Sequence, residues 1–193
     1  MAHIYAVGGI VPVVDGSAFV SASAMIIGDV IVGAACYVGP SASLRGDFGR
    51  LILRNGSNVQ DCCVVHGGHL TDTLVGENAI IAHGAVLHGC EIRANALVGI
   101  NSVVLDAAVV GEQALVAAMS FVPSGFVIPP RTLAMGIPVR IVRDLTAAEV
   151  EFLVVGARAY RDLTGPRLCE VHHPLRALTP ERLAQRNPPI DSA

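Results

Sequence analysis

Residues 92–122 read IRANAL VGINSV VLDAAV VGEQAL VAAMSF V, and each block of six opens on an aliphatic residue: Ile92, Val98, Val104, Val110, Val116 and Val122. Four positions after most of these stands a small residue: Ala96, Ser102, Ala108, Ala114 and Ser120. Glycine follows the aliphatic residue at Gly99 and Gly111. An α-helix repeats about every 3.6 residues and a flat strand about every 2. A period of six fits neither. It fits a short strand followed by a turn, with the aliphatic side chain inward and the small residue letting the corner turn tightly. Three such units close a triangular coil of about 18 residues, the parallel β-helix of a hexapeptide repeat.

The same phase extends toward the N-terminus. Val20, Ile26, Val32, Val38 and Leu44 keep it, as do Val59 and Val65, then Val75, Ile81 and Leu87, with Ala24, Cys36, Ala42, Cys63, Ala79 and Ala85 at the small positions. Two breaks stand out. Between Val65 and Val75 the step is ten residues, so part of the GGHLTDT stretch is expected to bulge out as a loop. Between Leu44 and Val59, LRGDFGRLILRNGSN predicts a longer or irregular pair of rungs. After Val122, Pro123, Pro129, Pro130 and Pro138 are expected to end the coil. Thr146-Ala-Ala-Glu149 is a capping box that opens a helix to about Leu163, with Val150, Leu153, Val154, Ala157 and Leu163 on its apolar side. The expected organisation is an all-β, left-handed hexapeptide-repeat β-helix over 1–140, a C-terminal α-helix over 141–165 and a proline-rich tail over 166–193.

Composition agrees with a narrow aliphatic core. Of 193 residues 52% are hydrophobic but only 4% aromatic, with no Trp, so no core is built on large rings. All 13 basic residues are Arg, which removes Schiff-base, Walker-loop and Ser–Lys chemistry. A net charge of −3 with no basic stripe argues against a nucleic-acid partner. The mean hydropathy of +0.58 is high, yet the least polar stretch, 114–130, is interrupted by Ser120, Ser124, Gly125 and prolines, so no membrane span is expected. The hydrophobicity reads as core plus a buried subunit interface. MAHIYAVGG lacks a basic region before an apolar stretch, so no signal peptide is expected. The five Cys are odd in number without a CxxC pair, as reduced thiols of a cytoplasmic protein would be. Cys62, Cys63 and Cys90 read as small packing residues.

The repeat assigns relative positions to the histidines. A single core histidine is ordinarily structural, but His66 directly follows Val65 and His88 directly follows Leu87, one full coil apart. Their backbones are then stacked about 5 Å apart, and their imidazoles can converge on one ion at about 2.0–2.1 Å. His83 follows Ile81 on another face, so it can complete the site only from a neighbouring subunit of a threefold trimer. Three protein ligands leave an open position, as in a catalytic zinc site. Arg45 falls in the column of His66 and His88, and Gln60 on the face of His83, with Asp47 and Asp61 beside them. Arg45, Asp47 and Asp61 read equally as subunit-boundary ion pairs. Gln60 is the better chemical candidate, because an uncharged amide can orient a metal-bound hydroxide. His69 is a loop residue that could move protons.

The segments LRGDFGRLIL, NVQDCCVVHGG, IIAHGAVLHGCEI, ALVGINSVVLDAAVVG and MGIPVRIVRDL together resemble the gamma-class carbonic anhydrase-like family over nearly the whole chain. The resemblance implies a left-handed β-helix homotrimer with a metal at each subunit interface. It implies His66, His83 and His88 as ligands, Gln60 as the orienting amide, and Arg45, Asp47 and Asp61 near the site. It implies Zn2+, with Fe2+ or Co2+ as alternatives, and a small-molecule substrate: CO2/bicarbonate, or an acyl-CoA thioester of the kind met in phenylacetate degradation. The loop after His66, Gly67-Gly68-His69-Leu70-Thr71-Asp72, lacks the Glu of the archaeal-type enzymes, which speaks against efficient CO2 hydration. The activity that the resemblance implies is metal-dependent acyl-CoA thioester hydrolysis, with some reversible CO2 hydration. The rivals are a CoA-using hexapeptide acyltransferase, which needs one histidine and no metal, and a metal-bound trimeric scaffold.

Overall fold

The computed structural model describes residues 2–164. The tail expected over 166–193, with His172 and His173, lies outside the described residues. The chain winds as a left-handed parallel β-helix of about seven turns, and one face carries the strands Phe19–Val20, Tyr37–Val38, Asn58–Val59, Ile80–Ile81, Leu97–Val98, Leu115–Val116 and Thr132–Gly136 in parallel register. The aliphatic residues of the six-residue phase stack up its middle. Ile26, Leu44, Val59, Val65, Val75, Ile81, Leu87, Ile92, Val98, Val104, Val110, Val116 and Val122 are fully buried. The small residues point inward too: Ala24, Cys36, Cys63, Ala79, Ala85, Ala96, Ser102, Ala108 and Ala114 are equally buried. They fill the corners of the triangle, where a larger side chain would collide with its stacked equivalents. Asn78, Asn95 and Asn101 take the left-handed conformation at such corners, which a short polar side chain tolerates best.

The irregular stretch after Leu44 has a simple form. Met25–Val32 and Ser43–Leu53 are long strands that pass around one corner and so belong to two faces at once. The five residues Gly46–Arg50 widen that corner. Gly67 crosses them so closely that a Cβ there would strike the backbone of Gly49. This corner carries the candidate site.

Pro123, Pro129 and Pro130 do not end the coil as expected, whereas Pro138 stands in the turn where the winding stops. Val127–Ile128 and Thr132–Gly136 continue two faces in register with Val109–Val110 and Leu115–Val116. Pro123 lies in a corner, where its carbonyl accepts from Phe126 N, and the missing N–H of a corner proline costs the ladders nothing. The winding stops when Thr132–Gly136 folds back on Val139–Asp144 as an antiparallel hairpin. The helix then spans Ala147–Leu163 behind the expected capping box, and Arg143 donates to both Glu149 carboxylate oxygens at 2.7 and 2.8 Å. It lies across the seven-stranded face, where Val150 and Leu153 join Leu145 against Leu97, Leu115 and Leu133. Ala157 is buried as well, whereas Val154, expected on the apolar side, is 45% exposed.

Candidate metal centre

The register places the predicted ligands. Arg45 pairs with His66, and His66 with His88, so the three form one column at the edge of a face. The two imidazole centroids are 5.0 Å apart. Asp47, from the widened corner, accepts from Arg45 and meets His66 Nε2 at 2.8 Å. Burial alone would raise the Asp47 carboxyl, but the hydrogen bonds to His66 and Arg45 outweigh it and hold the group below its ordinary value. Phe48 packs edge-on against both His66, at 5.7 Å, and His69, at 5.3 Å.

His83 stands at the other edge of the same face, at the corner between Ile80–Ile81 and Val86–His88. Its Nδ1 is 2.7 Å from Asp61 Oδ2, and its Nε2 is 3.4 Å from the hydroxyl of Tyr160 on the helix. Tyr160 in turn meets Tyr37 edge-on at 5.2 Å. Burial, and then the charge of Asp61, push both phenols up. Gln60 is buried and donates from Nε2 to Asn58 Oδ1 at 3.0 Å, which leaves its carbonyl oxygen free of that bond. Asn58 Nδ2 is buried without a partner among the described residues.

Seven candidate residues thus fall into two groups in one chain: Arg45, Asp47, His66 and His88 at one edge of the face, and Gln60, Asp61 and His83 at the other. Among the described residues no three His, Cys, Asp or Glu side chains of one chain converge as a ligand set. Of the cysteines, Cys63 and Cys90 are buried packing residues, but Cys62, expected among them, is exposed.

Four contacting residues escaped the sequence reading. Asp106 meets His88 Nδ1 with both oxygens at 2.9 Å. Thr71 donates to Asp106 Oδ1 at 3.1 Å. Asn58 holds Gln60, and Tyr160 reaches His83. For Asp106 a signal existed, since it lies 18 residues, one coil, after His88. Tyr160 carries no such signal, because the helix stands outside the repeat.

The ring chemistry suits a cation of the zinc type. His88 hydrogen-bonds through Nδ1 to Asp106, which fixes the tautomer that leaves Nε2 as a lone-pair donor, and His83 Nδ1 lies beside the Asp61 carboxylate. Asp47 also has Arg45 as a partner, so a cation taken by His66 would not strand it.

No family model matches the chain. The carnitine operon protein CaiE of Escherichia coli (strain K12) is 52% identical over 180 residues, 92% of each chain. Among solved structures, a candidate acetyltransferase of Bacillus cereus superposes with a TM-score of 0.83 at 33% identity, over 84% of this chain and 94% of that one. A hexapeptide transferase family protein of Anaplasma phagocytophilum gives a TM-score of 0.81 at 35% identity, over 84% and 96%. No helix among the described residues is long and apolar enough to cross a membrane. With half its residues shared across nearly its whole length, the chain belongs to the CaiE family of hexapeptide-repeat proteins.

Proposed function

We propose that this chain is one subunit of a homotrimeric metallohydrolase acting on acyl-CoA thioesters, with reversible CO2 hydration as a secondary activity. His66 and His88 of one subunit and His83 of the next hold a Zn2+, Fe2+ or Co2+ ion. The observation that carries the reading is the placement of the histidines at opposite edges of one face, which a threefold ring brings together between neighbours. The surface supports such a ring. Above His83 the corner continues as Ile100, Met119 and Ile137, which are 47%, 61% and 75% exposed, and Val64 and Met25 add apolar surface to the adjoining face. Such a strip favours association.

When bound, an ion of this type supplies a water-derived nucleophile near neutral pH and polarises a carbonyl. The chain's own residues do the rest. Asn58 orients Gln60, whose carbonyl oxygen can accept from the attacking water and hold its lone pair toward the substrate. Asp47, ionised and fixed between Arg45 and His66, can accept a proton from that water. Tyr160 is a donor beside His83 for the thioester oxygen or the leaving thiol. The acyl group is of the phenylacetyl type, or one derived from carnitine, given the name of the CaiE relative.

The test is metal content per subunit, with hydrolysis of acetyl-CoA and phenylacetyl-CoA before and after chelation. About one metal per chain and chelator-sensitive turnover, both lost in His88→Ala, support the reading. Turnover in metal-free protein contradicts it. A second reading, acyl transfer to an amine or hydroxyl with one histidine as base, is favoured by the names of the two superposed structures. It predicts chelator-insensitive transfer to an acceptor other than water.

A further inference from the structure

The ten-residue step between Val65 and Val75 lengthens the chain beside the candidate ligands, and its contacts show what it holds. Thr71, in that loop, donates to Asp106 Oδ1 at 3.1 Å. Asp106 comes from the next coil and places both carboxylate oxygens 2.9 Å from His88 Nδ1. The loop is closed across its base, where Thr73 Oγ1 donates to the His66 carbonyl at 2.6 Å, and its C-terminal end is held by Arg50 N donating to Asp72 Oδ1 at 2.8 Å. Two glycines make the room. A Cβ on Gly68 or on Gly89 would collide with Thr71 Oγ1 and Asp106 Oδ1. Gly89 also has φ +57°, in the left-handed region that glycine enters most readily.

We infer that Asp106 is the positioning residue of His88, locked by Thr71, and that the loop serves this lock. A carboxylate that accepts from Nδ1–H fixes the ring's rotation and its tautomer, so that Nε2 carries the lone pair and faces outward. Asp106 does not touch the substrate and acts only through His88. The inference rests on the metal site proposed above and assigns the loop a role other than proton transfer.

The test compares full-length wild type with Asp106→Asn, Thr71→Val and, as a control of equal charge change, Asp72→Asn, which keeps the Oδ1 acceptor for Arg50 N. Zn2+ affinity is read by competition with a chromogenic chelator, and geometry by the visible spectrum of the Co2+ form. The His88 tautomer is read in metal-free protein by nitrogen-15 NMR. Loss of such a partner costs about 10–100-fold in metal affinity. Asp106→Asn is expected to show that loss, an altered Co2+ spectrum and a mixed His88 tautomer. Thr71→Val, which keeps the carboxylate, should fall between, and Asp72→Asn should match wild type. Wild-type affinity and tautomer in Asp106→Asn overturn the inference and leave the metal site standing. A wild type that takes up no metal overturns both. If Asp106→Asn fails to fold, Thr71→Val decides: unchanged affinity and tautomer in that variant refute the lock.

Discussion

Leu153→Ala tests how the helix is tied to the solenoid. Leu153 is fully buried and sits with Leu145 and Val150 on Leu97, Leu115 and Leu133. The substitution removes three carbons, worth about 2.4 kcal/mol at roughly 0.8 kcal/mol each. The cavity left behind brings the expected cost to about 3 kcal/mol, within the usual range for such changes. Where that cost appears is the sharper question. Coils of a solenoid contact only their neighbours, and the helix packs on the outside of the stack, so it opens as a local unit. A loss of about 3 kcal/mol is roughly a hundredfold in the opening equilibrium. Hydrogen exchange read by mass spectrometry should therefore quicken about a hundredfold in peptides covering Ala147–Leu163. Peptides covering Val64–His66, Val86–His88 and Val103–Val104 should be unchanged. Tyr160 would lose its fixed place beside His83, so turnover should fall while metal content holds. Unchanged exchange in the helix, or an equal rise through the coils, would refute the reasoning.

Other expectations follow from single groups. The bonds from Arg143, with those of the Thr146 cap, hold Glu149 down to about 2 from an ordinary 4.5. A depressed carboxyl contributes stability that is complete above its unfolded value and lost as pH falls through the folded one. Helix protection should accordingly be flat above about pH 4.5 and decline toward pH 2, and Glu149→Gln should abolish that decline while fraying the first turn. Burial pushes the thiols of Cys63 and Cys90 up to about 11 and about 12. Both should resist iodoacetamide at about pH 8 in the folded protein and react on unfolding, as peptide mapping will report. Modification of either in the native state would contradict the packing described.

How far the sequence reached can be told from particular residues. The stacking of Arg45, His66 and His88 followed from counting hexads, because coil length fixes register in a solenoid and each inward residue names its column. The same count separated His83 from that column but assigned it to another face, whereas it stands at the corner where that face meets the face of His66 and His88. Pro123, Pro129 and Pro130 misled, since a residue that breaks a long strand is harmless in a fold made of two-residue strands and corners. Val154 was assigned to the buried side by helical periodicity alone, but the face it turns to depends on where the helix lands. Tyr160 reaches His83 across 77 residues of sequence, through a docking that no local pattern encodes. Asp106 is within reach of the count, one coil after His88, but its aliphatic neighbours and the unbroken phase there do not mark it out.

The central claim is that one metal site is built from two subunits, and subunit mixing tests it most directly. His66→Ala and His83→Ala should each be inactive and metal-poor on their own. In trimers reassembled from an equal mixture, about a quarter of the interfaces pair an intact His66–His88 edge with an intact His83 edge. The account predicts recovery of metal and thioesterase activity to about that fraction. Recovery of neither, with trimers of normal mass, would contradict it.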